Sequence, residues 1–319
     1  MCRSDAGTIG LDAQEVLGSV AERERAWLRK YGKPRFPRQP LYREFYNKQE
    51  VDPAEQILSL EGYLRVASLI VPDKAGLSKP TIRHPDLSPN NIFVSTSGEI
   101  LGLIDWQHSA VLPLFIQAKV PKHFQNYGDD DSENFRPPEL VDGFESLAPE
   151  EREKEAELYR KRQLHYFYVG HTSHKNESHF EAMSRYDLVI RNKLYEAAGR
   201  PWEGDNTSLR AELINASKRW PDIACSQAKD MPFPVRFSEE EAANCLDMDR
   251  KQMEADEQLQ TLRDFFPINI EGWVPLELYN ESKLKEEHIR AEMIGASESD
   301  EDKKEIEQNW PFQDHDEID

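Results

Sequence analysis

HPDLSPNNIFV, residues 84–94, runs directly into STSGEILGLIDW, residues 95–106, and these two stretches decide how the chain is read. The first eight positions hold a histidine, an aspartate and two asparagines before the sequence turns apolar. Two short strand-like runs then flank TSGE, the strongest hairpin signal in the chain. A turn on Ser97-Gly98 sets Asn91 opposite Ile104, and a turn centred on Gly98 alone sets it opposite Asp105. Either way Asn91 and Asp105 meet at the open end of the hairpin. Two converging oxygen-bearing side chains suit a hard cation such as Mg²⁺, whose other ligands are commonly water and substrate phosphates. Asp86, five residues before Asn91, can point at a substrate held there and accept a hydroxyl proton during phosphoryl transfer. His84 braces the loop through hydrogen bonds, and Pro85 and Pro89 stiffen it. Asp, Asn and Pro before a strand ordinarily make a plain turn. The spacing to Asp105 across a hairpin is what argues for more.

Outward from the hairpin the periodicity is helical. LDAQEVLGSVAERERAWLRKYGKP reads as a helix capped by Asp12, with Leu17, Val20, Trp27 and Tyr31 at helical spacing and Gly32 and Pro34 as the stop. A proline-rich connector, KPRFPRQPLY, follows. A second helix starts at Asp52-Pro53, with Ile57, Leu60, Leu64, Ala67 and Val71 on one face. After residue 149 helices return: PEEREKEAELYRKRQLHYFYVG, YDLVIRNKLYEAAG, DNTSLRAELINASKRW, then Ser238 to about Phe266 and Leu276 to about Ile294. Residues 295–319 are acidic and apolar-poor, and read as an unstructured tail. His165, His171, His174 and His179 crowd one stretch, but with no Cys or carboxylate motif beside them they read as helix-surface or core-edge residues. The fold class expected is mostly α with a small β-hairpin (α+β).

Composition narrows the function. The 319 residues carry 40 Lys and Arg against 60 Asp and Glu, a net charge of −20. That surplus argues against sequence-independent binding to nucleic acid or to anionic membrane, both of which need clustered positive charge. No run of 18 apolar residues suggests a membrane span. Cys2, Cys225 and Cys245 are odd in number and far apart, which is neither a disulfide framework nor a zinc spacing, so a reducing compartment is the simpler reading. The start, MCRSDAGTIG, shows no targeting segment.

H-x-D-x-x-x-x-N followed by a hairpin ending in Ile-Asp is the kinase-like pattern. The version here, HPDLSPNNIFV then GLIDWQHS, resembles the aminoglycoside phosphotransferase (choline-kinase-like) family. It looks closest to the fungal phosphotransferase-like proteins grouped with altered inheritance of mitochondria. The resemblance implies the C-terminal lobe of a protein-kinase-like fold over residues 1–220; beyond about residue 225 it assigns no role, and the sequence there reads as a helical extension over 221–294 and the acidic tail over 295–319. It implies Asp86 as the catalytic base, Asn91 and Asp105 as ligands of Mg²⁺ and of ATP bound through it, and His84 as a loop-orienting residue. It also implies mitochondrial residence, with the cytoplasm as the alternative. The acceptor would be a small-molecule hydroxyl bound among the later helices, where acidic side chains could attract a cationic substrate.

Two departures stand out. Gln107 occupies a position where many family members carry an acid. The 83 residues before His84 read as helices, with no glycine-rich loop and no strand lysine; the nearest lysines, Lys30 and Lys33, follow a helix. The expectation is therefore a lower lobe without its nucleotide-gripping half. Such a chain is either an ATP-dependent phosphotransferase or an inactive kinase-like remnant that binds a protein partner through the uncovered surface. A J-domain reading of His84-Pro85-Asp86 is disfavoured, because an apolar strand follows and no basic helix precedes.

Overall fold

The computed structural model describes residues 12–264, 266, 274–297 and 299–310. The described residues are mostly helical, with four short strands among them paired in two antiparallel sheets. Two compact units interleave along the sequence. The first takes residues up to Arg23 together with Glu61–Gly199 and Asn215–Val235. The second takes Glu24–Leu60, Arg200–Ile214 and the chain from Arg236 onward. The boundary expected at residues 220–221 falls inside the first unit.

In the first unit the strands frame the polar loop. β1 (Pro80–Ile82) pairs with β4 (Val111–Pro113), and β2 (Ile92–Val94) pairs with β3 (Ile100–Leu103). The loop 83–91 therefore runs from β1 into β2, and the segment 104–110 runs from β3 into β4. Each is held at both ends by a ladder. The sequence reading contained only the β2–β3 hairpin. The second sheet escapes it because both strands are three residues long and both carry a proline, which is ordinarily a mark against a strand.

The hairpin turn is Ser95–Gly98, closed by the Gly98 amide on the Ser95 carbonyl at 3.0 Å, with Gly98 at φ +82°. Glycine suits that left-handed position because it has no Cβ to clash. The ladder slips between Phe93 and Val94: Val94 faces Ile100 but Phe93 faces Gly102. Leu101 is thus the extra residue of a bulge. The turn alone would have left Asn91 one position out of register, and the bulge restores it opposite Ile104, whose amide donates to the Asn91 carbonyl at 3.1 Å.

Behind the sheets, Leu114, Phe115 and Ile116 are buried in the short helix Leu114–Gln117, which packs on Glu177–Ser184 and Tyr186–Gly199. Leu188, Leu194, Tyr63, Ile70 and Leu77 complete this core. Arg191, buried, donates to the Ile70 carbonyl at 2.8 Å and pairs with Asp187 one turn earlier. The long helix Pro149–Lys175 is tied down by Arg162, whose guanidinium grips both carboxylate oxygens of Asp129.

The helix Ala13–Tyr31 forms where expected, but its buried residues are Ala13, Val16, Leu17, Ala21, Glu24 and Leu28. Trp27 and Tyr31 lie on the outer side and pack on each other, 5.9 Å between ring centroids. Small alanines can lie flat against a neighbour where large rings cannot. The helix Ala54–Ala67 is capped by Asp52, which accepts from the Ala54 amide at 2.8 Å.

In the second unit the proline-rich connector is extended and bridges Arg35 to Val51. Gly204 sits against it: a Cβ there would meet the Phe36 carbonyl oxygen at 2.6 Å, so only glycine admits this approach. A polar knot follows. One oxygen of Asp205 accepts from Tyr46 Oη at 2.6 Å and from Gln252 Nε2 at 2.8 Å. This holds the helix Glu239–Asp264 to the unit and pushes the Tyr46 phenol pKa up, first through burial and then through the Asp205 charge. Of the tail read as unstructured, Asp300–Asn309 forms a helix capped by Ser299, with Trp310 buried beyond it and donating to Glu286. Cap and aromatic anchor outweigh the acidic composition there; residues 298 and 311–319 lie outside the described residues.

Candidate functional site

The polar loop is built on His84. Its Nε2–H donates to the Ile104 carbonyl at 2.6 Å, and its Nδ1 accepts from the Asp86 amide at 3.2 Å. Both ring nitrogens are therefore committed to backbone, in the neutral tautomer protonated on Nε2. The ring meets Trp106 edge-on, 4.8 Å between centroids. His84 thereby joins the loop to the end of β3. The preceding residue, Arg83, donates to the Gln117 and Lys119 carbonyls and to Tyr168 Oη at 2.5 Å, which pins the loop entrance to the long helix.

Asn91 ends a single 3₁₀ turn, Pro89–Asn91, and is buried. Its Nδ2 donates to the Asp86 carboxylate at 3.0 Å and to the Asp86 carbonyl at 2.9 Å. The amide nitrogen is used inside the loop, which leaves the side-chain oxygen as the atom a cation would take. Asp86 is exposed and is held in orientation by this bond.

Asp105 follows β3 with φ +62°, the left-handed region that a residue with a Cβ occupies at a cost of about 1–2 kcal/mol. Its carboxylate is exposed and makes no hydrogen bond or ion pair among the described residues. His108, three residues on, is left-handed as well, at φ +63°. Backbone strain at an acid with no internal partner suggests that the conformation serves something outside the chain. Among the described residues no group of three or more His, Cys, Asp or Glu side chains could hold a metal. The oxygen donors at this loop, Asn91 and Asp105, are hard and few, and so fit an ion such as Mg²⁺ that keeps most of its shell as water and phosphate oxygens.

The hairpin leaves apolar side chains open on both of its faces beside the loop. Phe93 stands opposite Gly102, where an added Cβ would meet nothing within 4 Å, so the ring borders open space. Ile100 and Leu101 are 70% and 69% exposed. The sequence identified these residues as strand but gave no signal that they lie open.

The four histidines are dispersed. His165 is buried and donates to the Phe124 carbonyl at 3.1 Å, while His171 is exposed against Phe167. His179 is buried with Nε2 unpartnered, and burial together with the Arg83 charge lowers its pKa to about 4.

The chain is similar to fungal proteins of altered mitochondrial inheritance. It is 24% identical over 234 residues to altered inheritance of mitochondria protein 9, mitochondrial, of Zygosaccharomyces rouxii, covering 71% of this chain and 36% of that protein. The same-named protein of Saccharomyces cerevisiae is 20% identical over 235 residues. A subtelomeric hrmA-associated cluster protein of Aspergillus fumigatus is 29% identical over 309 residues, covering 96% of this chain and 58% of the relative. The chain thus spans little more than half the length of that relative and about a third of the others. No family model and no solved structure matches. Among the described residues no helix is long and apolar enough to cross a membrane.

Proposed function

We propose that this chain is the catalytic-loop portion of a kinase-like phosphotransferase of the aminoglycoside phosphotransferase type, acting with ATP and Mg²⁺ on a small-molecule hydroxyl. The observation that carries the reading is the strained, unpartnered Asp105, one residue beyond the Ile104 amide that bonds Asn91, with Asp86 held by the Asn91 side chain. When bound, Mg²⁺ would neutralise phosphate charge between the Asn91 side-chain oxygen and the Asp105 carboxylate. Asp86, held by Asn91, takes the proton of the acceptor hydroxyl. His84 has no nitrogen left for chemistry and fixes the distance between the loop and the end of β3. The open face at Phe93 and Gly102 is a surface on which a purine could lie. The mitochondrial names of the relatives favour mitochondrial residence.

Calorimetric titration of ATP, with and without Mg²⁺, tests this. Binding that requires Mg²⁺ and weakens at least about tenfold in Asp105→Asn is expected, as is loss of turnover with retained binding in Asp86→Ala. A second reading is favoured by the exposure of Ile100 and Leu101: an inactive relative that binds a protein partner through the hairpin. Absence of ATP binding at millimolar concentration would leave that reading standing alone.

A further inference from the structure

A groove runs along the long helix, outside the polar loop. Phe124, Arg160, Phe167, Tyr168, His171 and Lys175 are among the residues that line this groove of about 570 Å³, within the range of small-molecule sites. Four of its lining side chains are rings. Phe124 packs on Tyr168 at 5.2 Å between centroids, and His171 stacks on Phe167 at 6.2 Å. Phe167 is 52% exposed, a large apolar side chain left to solvent at the mouth.

The charge of the lining runs against the rest of the molecule. The chain carries −20 overall, yet the groove has Arg160 and Lys175 and no carboxylate. Arg160 is already paired, both its Nε and Nη2 donating to Glu157 at 2.6 Å. Lys175 has no ion pair among the described residues. The positive charge without a side-chain partner therefore sits at the Lys175 end, beside the His171–Phe167 stack. Gln163 supplies an uncommitted amide along the wall.

We infer that this groove binds a planar aromatic anion, its rings against Phe167 and Tyr168 and its acidic group at Lys175. Ring faces favour flat ligands through offset or edge contacts, and a lysine in a mostly apolar wall selects for one negative group. This differs from the cationic acceptor expected from net charge, because local lining and not overall charge decides what a groove holds. Tyr168 also accepts the hydrogen bond from Arg83, so an occupant would touch the same wall that anchors the entrance of the polar loop.

Fluorescence titration with anilinonaphthalene sulfonate, and with its uncharged analogue phenylnaphthylamine, tests the inference. The full chain carrying Ile100→Ser and Leu101→Ser is used, which removes the two most exposed apolar side chains of the hairpin and lowers its contribution to the signal. One saturable site is expected for the sulfonate probe, weakened about tenfold by Lys175→Glu, the size of one charge-assisted contact. The uncharged probe should bind less tightly and be indifferent to Lys175→Glu, while Phe167→Ala should weaken both probes. Both positions are exposed, so circular dichroism should show the variants folded. Unchanged binding in both variants, or equal binding of the two probes, would overturn the proposal.

Discussion

At the scale of single residues, Asp105 and His179 each occupy an unfavourable state, for different reasons. Asp105 is exposed, so its left-handed backbone is not imposed by packing of its side chain. Glycine would relieve the strain. Asp105→Gly should therefore raise stability by about 1 kcal/mol in urea titration while abolishing Mg²⁺-dependent nucleotide binding, a trade of function for stability. If the residue were only a turn former, binding would survive the same change. His179 is unfavourable through burial. Its pKa is lowered from the ordinary 6.5 to about 4, so below pH 6.5 the unfolded chain takes up a proton that the folded chain refuses. The stability contributed by the neutral ring is complete above pH 6.5 and is lost as pH falls toward 4. Between pH 7 and 5 the loss should be about 2 kcal/mol. Carboxylates with lowered pKa, such as Asp129 at about 2, lose their contribution only at lower pH, so this window isolates the histidine. Urea midpoints of His179→Leu should change much less than wild type between these two pH values.

At the scale of elements, the hairpin shows what could be read in advance and what could not. Turn-formers between two apolar runs located β2 and β3, and the convergence of Asn91 with the end of β3 followed from period alone. The turn itself is one residue earlier than Ser97-Gly98, and the bulge at Leu101 compensates. No sequence rule places a bulge at a leucine between an isoleucine and a glycine, because bulges answer to twist and partner geometry. β1 and β4 were illegible for the reason their prolines give: each strand is only a flank of the loop, stabilised by context. Similarly, the face of Ala13–Tyr31 was read from its largest residues, whereas burial selected Ala13, Ala21 and Glu24, whose Oε1 accepts from the Trp202 amide at 2.9 Å. The open space at Gly102 yields a further expectation. Gly102→Val replaces a poor strand residue with a good one and meets no neighbour, so it should stabilise the hairpin by about 0.5–1 kcal/mol. The valine would fill the space beside Phe93. Nucleotide binding should weaken as stability rises, and a calorimetric titration that finds binding intact would remove this face from the site.

At the scale of the molecule, two opposing terms meet on the hairpin: a net charge of −20 that keeps copies apart, and exposed Phe93, Val94, Ile100 and Leu101 that would bring them together. Charge acts over a Debye length of about 10 Å at 0.1 M salt and about 3 Å at 1 M, while apolar attraction needs contact and is not screened. Which term wins should therefore depend on salt. At low ionic strength repulsion is long-ranged and the chain should sediment as a monomer. In 1 M NaCl the repulsion is confined to contact distance and concentration-dependent association should appear. Replacing Ile100 and Leu101 by serine removes the two most exposed side chains of the hairpin without touching Asp86, Asn91 or Asp105. That variant should remain monomeric at both salt concentrations in sedimentation velocity, with unchanged helical circular dichroism. Association that persists in the variant would assign the contact to another surface. Its absence from wild type in 1 M NaCl would mean that four open apolar residues are too few to hold two copies, so that any occupant of the hairpin must contribute specific contacts of its own.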